Sequence, residues 1–381
     1  MVADADFSEA LSYVKTFIQR EVLPREQEIA DLDQVPPELV EAAREMGLFG
    51  YALPEEYGGW GLSMAQEVEL VLELSYAIQA FRSVLGTGNG IAGQVLVNFG
   101  TDEQRKTWLP KIASGEVMTS FALTEEGAGS NPAALQSSAI RQGGDWVING
   151  HKRFISHAPT ADLFMVFARV PDEGVAVFLV PADSAGLTVA APDRKMGGEG
   201  SQIADVYFDD VRVPEGALVG DSPAVGFRAA MTSLARGRVV VAASAVGAAQ
   251  RAFDESVTHA SRTHQGDTVI GQFQLVQAML ADQQTQLLAG RSLVRHVAAV
   301  YDEGGDRRIL PSAAKLFCTE MLGTVADLAV QIHGGSGYMR GMPVERIYRE
   351  ARVLRLFEGT SEIQRLIIGS RLVKDARASA T

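Results

Sequence analysis

The stretch Trp146-Val147-Ile148-Asn149-Gly150-His151 marks the place where the chain changes texture. Apolar strand formers stand beside Asn149-Gly150, the dipeptide that best closes a two-residue hairpin, so a hairpin is expected there. From Met118 to Asp221 the period is mostly two, with Val, Ile and Phe bounded by Gly, Pro and Asn. Val175–Val180 reads as a buried strand, and Ala204–Val213 as another that closes at Pro214. The expected unit is a β domain of roughly 100 residues, a small barrel or sandwich.

Helical patterns flank this unit on both sides. Before it, Phe7, Leu11, Val14, Phe17 and Ile18 recur at three- and four-residue steps until Pro24 interrupts them. Pro36-Pro37 opens a second helix that Gly47 ends, and Ser63 caps an apolar run from Met64 to Ile78. Thr101-Asp102-Glu103-Gln104 is a capping box ahead of another short helix. After the β unit, Met231–Ala260, Phe273–Tyr301, Pro311–Ile332 and Ser361–Leu372 read as the helices of an antiparallel four-helix bundle. The fold class is α+β and multidomain: an N-terminal helical domain over 1–117, a middle β domain over 118–222 and a C-terminal helical bundle domain over 223–381.

The 381 residues carry 34 Lys and Arg against 47 Asp and Glu, a net charge of −13 that argues against nucleic acid as a partner. A single cysteine, Cys318, allows no internal disulfide and no cysteine cluster, so redox chemistry must come from a bound cofactor. Six histidines show no ligand spacing; His157 and His333 read as structural or surface residues, and no metal is expected. The acidic start does not resemble a signal peptide, and no apolar stretch reaches the roughly 20 residues that span a bilayer. A cytoplasmic chain without a membrane partner is the expectation, although a processed matrix protein would look the same. Ala378–Thr381 reads as a frayed tail.

Four segments carry chemistry. Thr124-Glu125-Glu126-Gly127-Ala128-Gly129-Ser130-Asn131 follows a strand and offers N–H groups to a phosphate, or is a plain turn. In Phe154-Ile155-Ser156-His157, an aromatic and a hydroxyl two residues apart share one strand face, able to stack on a planar ring or simply to fill a core. Gln331-Ile332-His333-Gly334-Gly335-Ser336-Gly337-Tyr338 breaks a helix with three glycines, more than a helix stop needs. In Arg355-Leu356-Phe357-Glu358-Gly359-Thr360-Ser361-Glu362-Ile363-Gln364, Ser361 and Gln364 read as a capping box, which leaves Glu358 in the loop ahead of the helix. A carboxylate desolvated there suits general-base work; the alternative is a surface Glu favoured by the helix dipole.

Taken in order, these strings resemble the acyl-CoA dehydrogenase family of flavoenzymes across nearly the whole chain. Phe208-Asp209-Asp210-Val211-Arg212-Val213-Pro214 and Gly237-Arg238 belong to the same likeness. The resemblance implies FAD between the β domain and the bundle, and α,β-dehydrogenation of an acyl-CoA with Glu358 as the α-proton base. It implies that Phe121, Leu123, Thr124, Gly129 and Ser130 line the flavin loop, with Ser130 also facing the thioester arm. Phe154 would lie against the flavin ring, with Ile155 beside it and Ser156 reaching N5. Arg262, Gln274, Gln331, Gly334 and Gly335 would contact the FAD of a neighbouring subunit, and Thr360 and Glu362 its adenosine side. Arg238 and Gly359 would touch substrate, and the segment from Ser83 to Phe99, rich in Gly86, Gly88, Gly90 and Gly93, would line the acyl cavity or pack closely. A homotetramer passing electrons to an electron-transfer flavoprotein is the implied assembly.

The chain departs from the family pattern at Phe154, where tryptophan is usual, at Asn131 in place of aspartate and at Glu126 in place of proline. Some relatives carry their base just before the matching arginine; Gly237 stands there and cannot serve. An oxidase or monooxygenase on the same fold, a carrier-protein thioester substrate, and an inactive flavin scaffold are the alternatives.

Overall fold

The computed structural model describes residues 4–379, so part of the expected tail and of the acidic start, residues 1–3, 380 and 381, lies outside the described residues. Seven α-helices form the N-terminal third: α1 (Asp4–Phe17), α2 (Glu26–Leu32), α3 (Pro37–Glu45), α4 (Met64–Leu74), α5 (Gln79–Asn89), α6 (Ile91–Phe99) and α7 (Asp102–Ala113). Ser63 and Thr101 cap α4 and α7 with reciprocal bonds to Gln66 and Gln104, as their spacing requires. Helix α4 stops at Leu74, short of the expected Ile78. The Ile78 N–H instead donates to the buried Glu26 carboxylate at 2.7 Å, which turns the chain into α5.

Seven strands follow: β1 (Thr119–Ala122), β2 (Ser138–Gln142), β3 (Asp145–Ser156), β4 (Leu163–Val170), β5 (Gly174–Pro181), β6 (Leu187–Val189) and β7 (Ile203–Pro214). They make one curled sheet in the order β1-β4-β2-β3-β7-β6, with β5 on β4. Strands β4 and β5 are buried on both faces, which is why they read as unbroken apolar runs. Phe164, Val166 and Ala168 point inside the curl with Trp146 and Phe178, whose rings meet edge-on at 5.1 Å. Leu163, Met165 and Phe167 point the other way, onto Val95, Leu96, Leu109 and Ala229 of the helices.

The hairpin expected at Asn149-Gly150 is not there. Both residues lie inside β3, and the turn falls at Gly143-Gly144, each with positive φ, where Gln142 faces Asp145. The physical reason is a bulge against β7, where the register shifts between Ile148 and Gly150. The Asn149 amide is spent on Asp210, at 2.9 and 2.8 Å, and a Cβ on Gly150 would collide with Ser137.

The C-terminal part contains α8 (Gly226–Arg262), a small hairpin of β8 (His264–Gln265) and β9 (Thr268–Val269), α9 (Gln274–Asp302), α10 (Ile309–His333), α11 (Pro343–Leu354) and α12 (Ser361–Ser379). All four expected helices are present, and α11 is a fifth that the sequence reading does not name. Helix α8, with the turn before it, is long and apolar enough to cross a bilayer, contrary to expectation, but 78% of its apolar window is buried inside the protein. It is a core helix. Val239, Val240, Val246 and their neighbours share one continuous core with Val68, Leu72 and Phe81 of α4 and α5 and with Val294 and Val325 of α9 and α10. Cys318 is buried in this core, its thiol pushed up to about 12 by desolvation, and it serves packing.

Buried ion pairs cross this core between helices, and one of them joins α4 to α8. Glu67 on α4 is fully buried and paired with Arg236 on α8 through two contacts, one at 3.2 Å from Nη1 to Oε1. Arg236→Met leaves the Glu67 carboxylate buried without its cation. A loss of about 3–5 kcal/mol is expected in denaturant unfolding, and Glu67→Leu combined with Arg236→Met should recover most of it.

Candidate active site

Helix α11 ends at Leu354, and the chain must turn before α12 can begin. The turn is made by Glu358 and Gly359, with φ of +52° and +92°. A left-handed glycine costs nothing sterically, whereas a left-handed glutamate costs about 1–2 kcal/mol and must be held in place. Two side chains do so. Lys315 of α10, fully buried, donates its Nζ to the Gly359 carbonyl at 2.8 Å. The Gln364 amide donates to the carbonyls of Glu358 and Gly359 at 3.2 and 2.9 Å.

Gln364 therefore does not close a capping box with Ser361, as its spacing suggested. Thr360 is the cap, its Oγ1 accepting from the Ile363 N–H at 3.3 Å, while the Ser361 hydroxyl donates to Glu320. The polar spacing is right for a helix start; the loop simply has a stronger use for the Gln364 amide.

So held, the Glu358 side chain runs under α8. A Cβ built on Gly237 would strike its carboxylate, so the missing side chain at 237 is what makes room for it. Oε2 is closed off from solvent and has no hydrogen-bond partner among the described residues. Burial pushes the carboxyl above its usual range, and the cations of Arg82, Arg238 and Lys315 pull it partly back. The neighbours respond in kind. Burial lowers Lys315 to about 8 and draws Arg238 down, each opposed by the Glu358 charge. Arg238 is buried, and its Nε also lacks a partner among the described residues.

The sequence reading named Glu358, Gly359 and Arg238, and the fold brings them together. It missed Lys315, Arg82 and the packing role of Gly237. Lys315 was findable, since a lone lysine inside Ala313-Ala314-Lys315-Leu316-Phe317-Cys318 has no solvent-facing reason to be there. Of the glycines in α5 and α6, Gly86 lies against the Arg82 guanidinium, while Gly88 and Gly93 pack against Ile112 and Leu53. Close packing accounts for them.

The β domain contributes a second group. A register shift between Lys152 and Ile155 and a φ of +57° at Phe154 turn the Phe154 ring outward, 55% exposed, with Arg153 over it at 4.8 Å. Ser156 lies exposed on the same face and Ile155 is buried behind it. The Thr124 carbonyl accepts from the Arg153 N–H at 2.8 Å, which ties the glycine loop to this strand. Leu123 is buried, and Phe121 packs on Phe167 at 4.7 Å. Fully buried Lys152 bonds Glu125 at 2.6 Å and fixes the loop base, beyond which Gly129 and Ser130 are exposed. A Cβ on Gly127 or Gly129 would meet nothing within 4 Å, so the loop backbone stands open to a large ligand. An open glycine loop beside an exposed ring and hydroxyl fits a flavin with its phosphates.

Arg262, Gln274, Gln331, Gly334 and Gly335 are all exposed and gather at the far end of the bundle. His259 stacks on His333 at 4.2 Å and joins the ends of α8 and α10 there. Arg238 and Arg262 are 262 − 238 = 24 residues apart on one helix, roughly 36 Å at its rise per residue. The fold therefore does not bring the Arg262 group to Glu358 within one chain. Of the three glycines after His333, Gly334 takes positive φ, Gly337 packs on the Val330 carbonyl, and Gly335 alone faces open space without a backbone reason. Thr360 and exposed Glu362 lie at the start of α12, where the Glu362 backbone N–H and the Thr360 hydroxyl hold that carboxylate below its usual range. Among the described residues no group of histidine, cysteine and carboxylate side chains could hold a metal ion.

Comparison with known proteins agrees with this geometry. The acyl-CoA dehydrogenase N-terminal, middle and C-terminal domain models match residues 5–116, 120–211 and 224–373. The 3-(aryl)acrylate reductase of Clostridium sporogenes is 36% identical over 364 residues, covering 94% of this chain and 96% of that protein. An acyl-CoA dehydrogenase of Bacillus subtilis is 35% identical over 364 residues, covering 94% and 96%. The structure of an acyl-CoA dehydrogenase from Bacillus anthracis complexed with FAD superposes with a TM-score of 0.93 at 31% identity, over 100% of this chain and 68% of that one. The chain belongs to the acyl-CoA dehydrogenase family of FAD-dependent oxidoreductases.

Proposed function

We propose that this protein removes the α- and β-hydrogens of an acyl-CoA thioester to give the trans-2-enoyl-CoA, with Glu358 as the α-proton base. The observation that carries the reading is the Glu358 carboxylate itself: desolvated, with an unpartnered Oε2, set by a pinned turn and facing three cations. Desolvation raises its proton affinity toward that of the weakly acidic α-carbon. Arg82, Arg238 and Lys315 pull that affinity partly back toward the ionised form, which is the one that accepts a proton. Gly359 lets a thioester approach the backbone of the turn, where an N–H can stabilise the developing enolate oxygen. FAD, when bound, takes the β-hydrogen as hydride. Phe154 and Ser156 would face its ring, and Thr124, Gly129 and Ser130 would hold the loop around it. The two electrons removed from the substrate would pass on to an electron-transfer flavoprotein. Outward-facing Arg262, Gln274, Gln331, Gly334 and Gly335 support a homotetramer in which each subunit completes a neighbour's FAD site.

Glu358→Gln should purify yellow with a normal flavin spectrum, yet lose anaerobic bleaching by acyl-CoA by at least about 10²-fold. Bleaching at the parent rate would remove Glu358 from the reaction, and oxygen uptake during turnover would replace the electron-transfer flavoprotein with oxygen as acceptor. Because Glu358 works ionised, activity falls as pH drops through its raised pKa. Lys315→Met removes a cation that lowers that pKa, so the acid limb of the kcat/KM profile should move to higher pH, with Lys315→Arg restoring most of the shift. An unmoved limb in Lys315→Met would mean that Lys315 acts only on the loop. Light scattering should find a tetramer, and a fully active monomer would contradict the shared-site assignments.

A further inference from the structure

The loop that carries Glu358 runs from Arg355, at the end of α11, to Ser361, at the start of α12, and Glu358 stands midway between them. Its ends are drawn together by the Ser361 N–H, which donates to the Arg355 carbonyl at 3.1 Å. Glu320 of α10 binds the same two residues through their side chains. Its Oε2 accepts from Arg355 Nη1 at 3.2 Å, and its Oε1 accepts from the Ser361 hydroxyl at 2.5 Å. One carboxylate thus takes one end of the loop on each oxygen.

The surroundings suit this tie. Ser361 is buried, and a Cβ on Gly323 of α10 would lie 3.2 Å from the Arg355 guanidinium, so a glycine there leaves that group room against the helix. Burial raises the proton affinity of Glu320, but the Ser361 hydroxyl and the Arg355 guanidinium outweigh it and hold the carboxyl below its usual range. Both bonds are therefore made to an ionised carboxylate, which strengthens them. Lys315, on the same helix, holds the Gly359 carbonyl. Helix α10 thus grips the loop at both ends and beside its centre. Glu358 sits at a strained positive φ, and a loop with free ends would relax by moving it.

We propose that Glu320 is a positioning residue for the dehydrogenation: by tying Arg355 to Ser361 it closes the loop and sets the place of the Glu358 carboxylate. The inference rests on the reading of Glu358 as the base and adds a group that acts only through it. Its effect falls on proton transfer rather than on substrate binding, because a displacement of about 1 Å at the reacting atoms can cost on the order of 10² in rate.

The test isolates proton abstraction. Hexanoyl-, 2-methylbutanoyl- and 3-phenylpropanoyl-CoA are first compared in anaerobic bleaching of the parent holoenzyme. The ester reduced fastest is then made with sulfur in place of its β-carbon. That analogue can lose its α-proton but has no β-hydrogen to give up, so deuterium uptake at the α-carbon reports the base alone. In Glu320→Gln, exchange per bound flavin and kcat should fall together by about 10-fold or more, with KM and FAD content within about 3-fold of the parent. Ser361→Ala changes no charge and should lose part of the same rate. Added to Glu320→Gln it should cost less than about 2-fold more, because both cut one tie. Parental exchange per bound flavin in Glu320→Gln, even with a lower melting temperature, makes Glu320 structural only and overturns the inference while the base stands. If Glu320→Gln does not fold, parental exchange in Ser361→Ala has the same force. Failure of all three esters to bleach the parent overturns the base reading and this inference with it.

Discussion

A half-buried carboxylate, with one oxygen closed off from water and three cations facing it, is the constraint on which the site depends. Burial raises the proton affinity of the Glu358 carboxyl, and the charges of Arg82, Arg238 and Lys315 pull it partly back without forming a closed ion pair. These cations come from α5, α8 and α10, so the proton affinity of this carboxyl depends on how N-terminal and C-terminal helices share one core. Lys315 has a double part, because the group that offsets the charge also holds the carbonyl of Gly359 and thereby the strained turn.

The order of helices, strands and helices was legible in the sequence because period-two and period-3.6 patterns alternate in long blocks and β4 and β5 are buried on both faces. Local turn chemistry misled where a longer-range partner competed for the same group. Asn149-Gly150 has the composition of a hairpin, but Asp210 on the facing strand claims the Asn149 amide. Ser361 and Gln364 have the spacing of a capping box, but the Glu358 turn claims the Gln364 side chain. In each case a contact distant in sequence or in the turn outweighed the nearest-neighbour one.

The site shows the same division. Glu358, Gly359 and Arg238 stand in short strings whose chemistry can be read directly. Arg82 does not, because its meaning lies in burial and in which helices meet, and no spacing along the chain encodes that; Lys315 leaves only the trace of a lone lysine in an apolar run. The outward ring of Phe154 depends on a left-handed residue at a bulge, where β-propensity alone would leave it a core strand position.

Gly237 bears on how such a site can change over evolutionary time. A Cβ at 237 would meet the end of the Glu358 side chain beneath α8, so a side chain there would compete with Glu358 for its present place. A glycine at 237 removes that contest, so a residue with no chemistry of its own leaves the space beneath α8 to the loop.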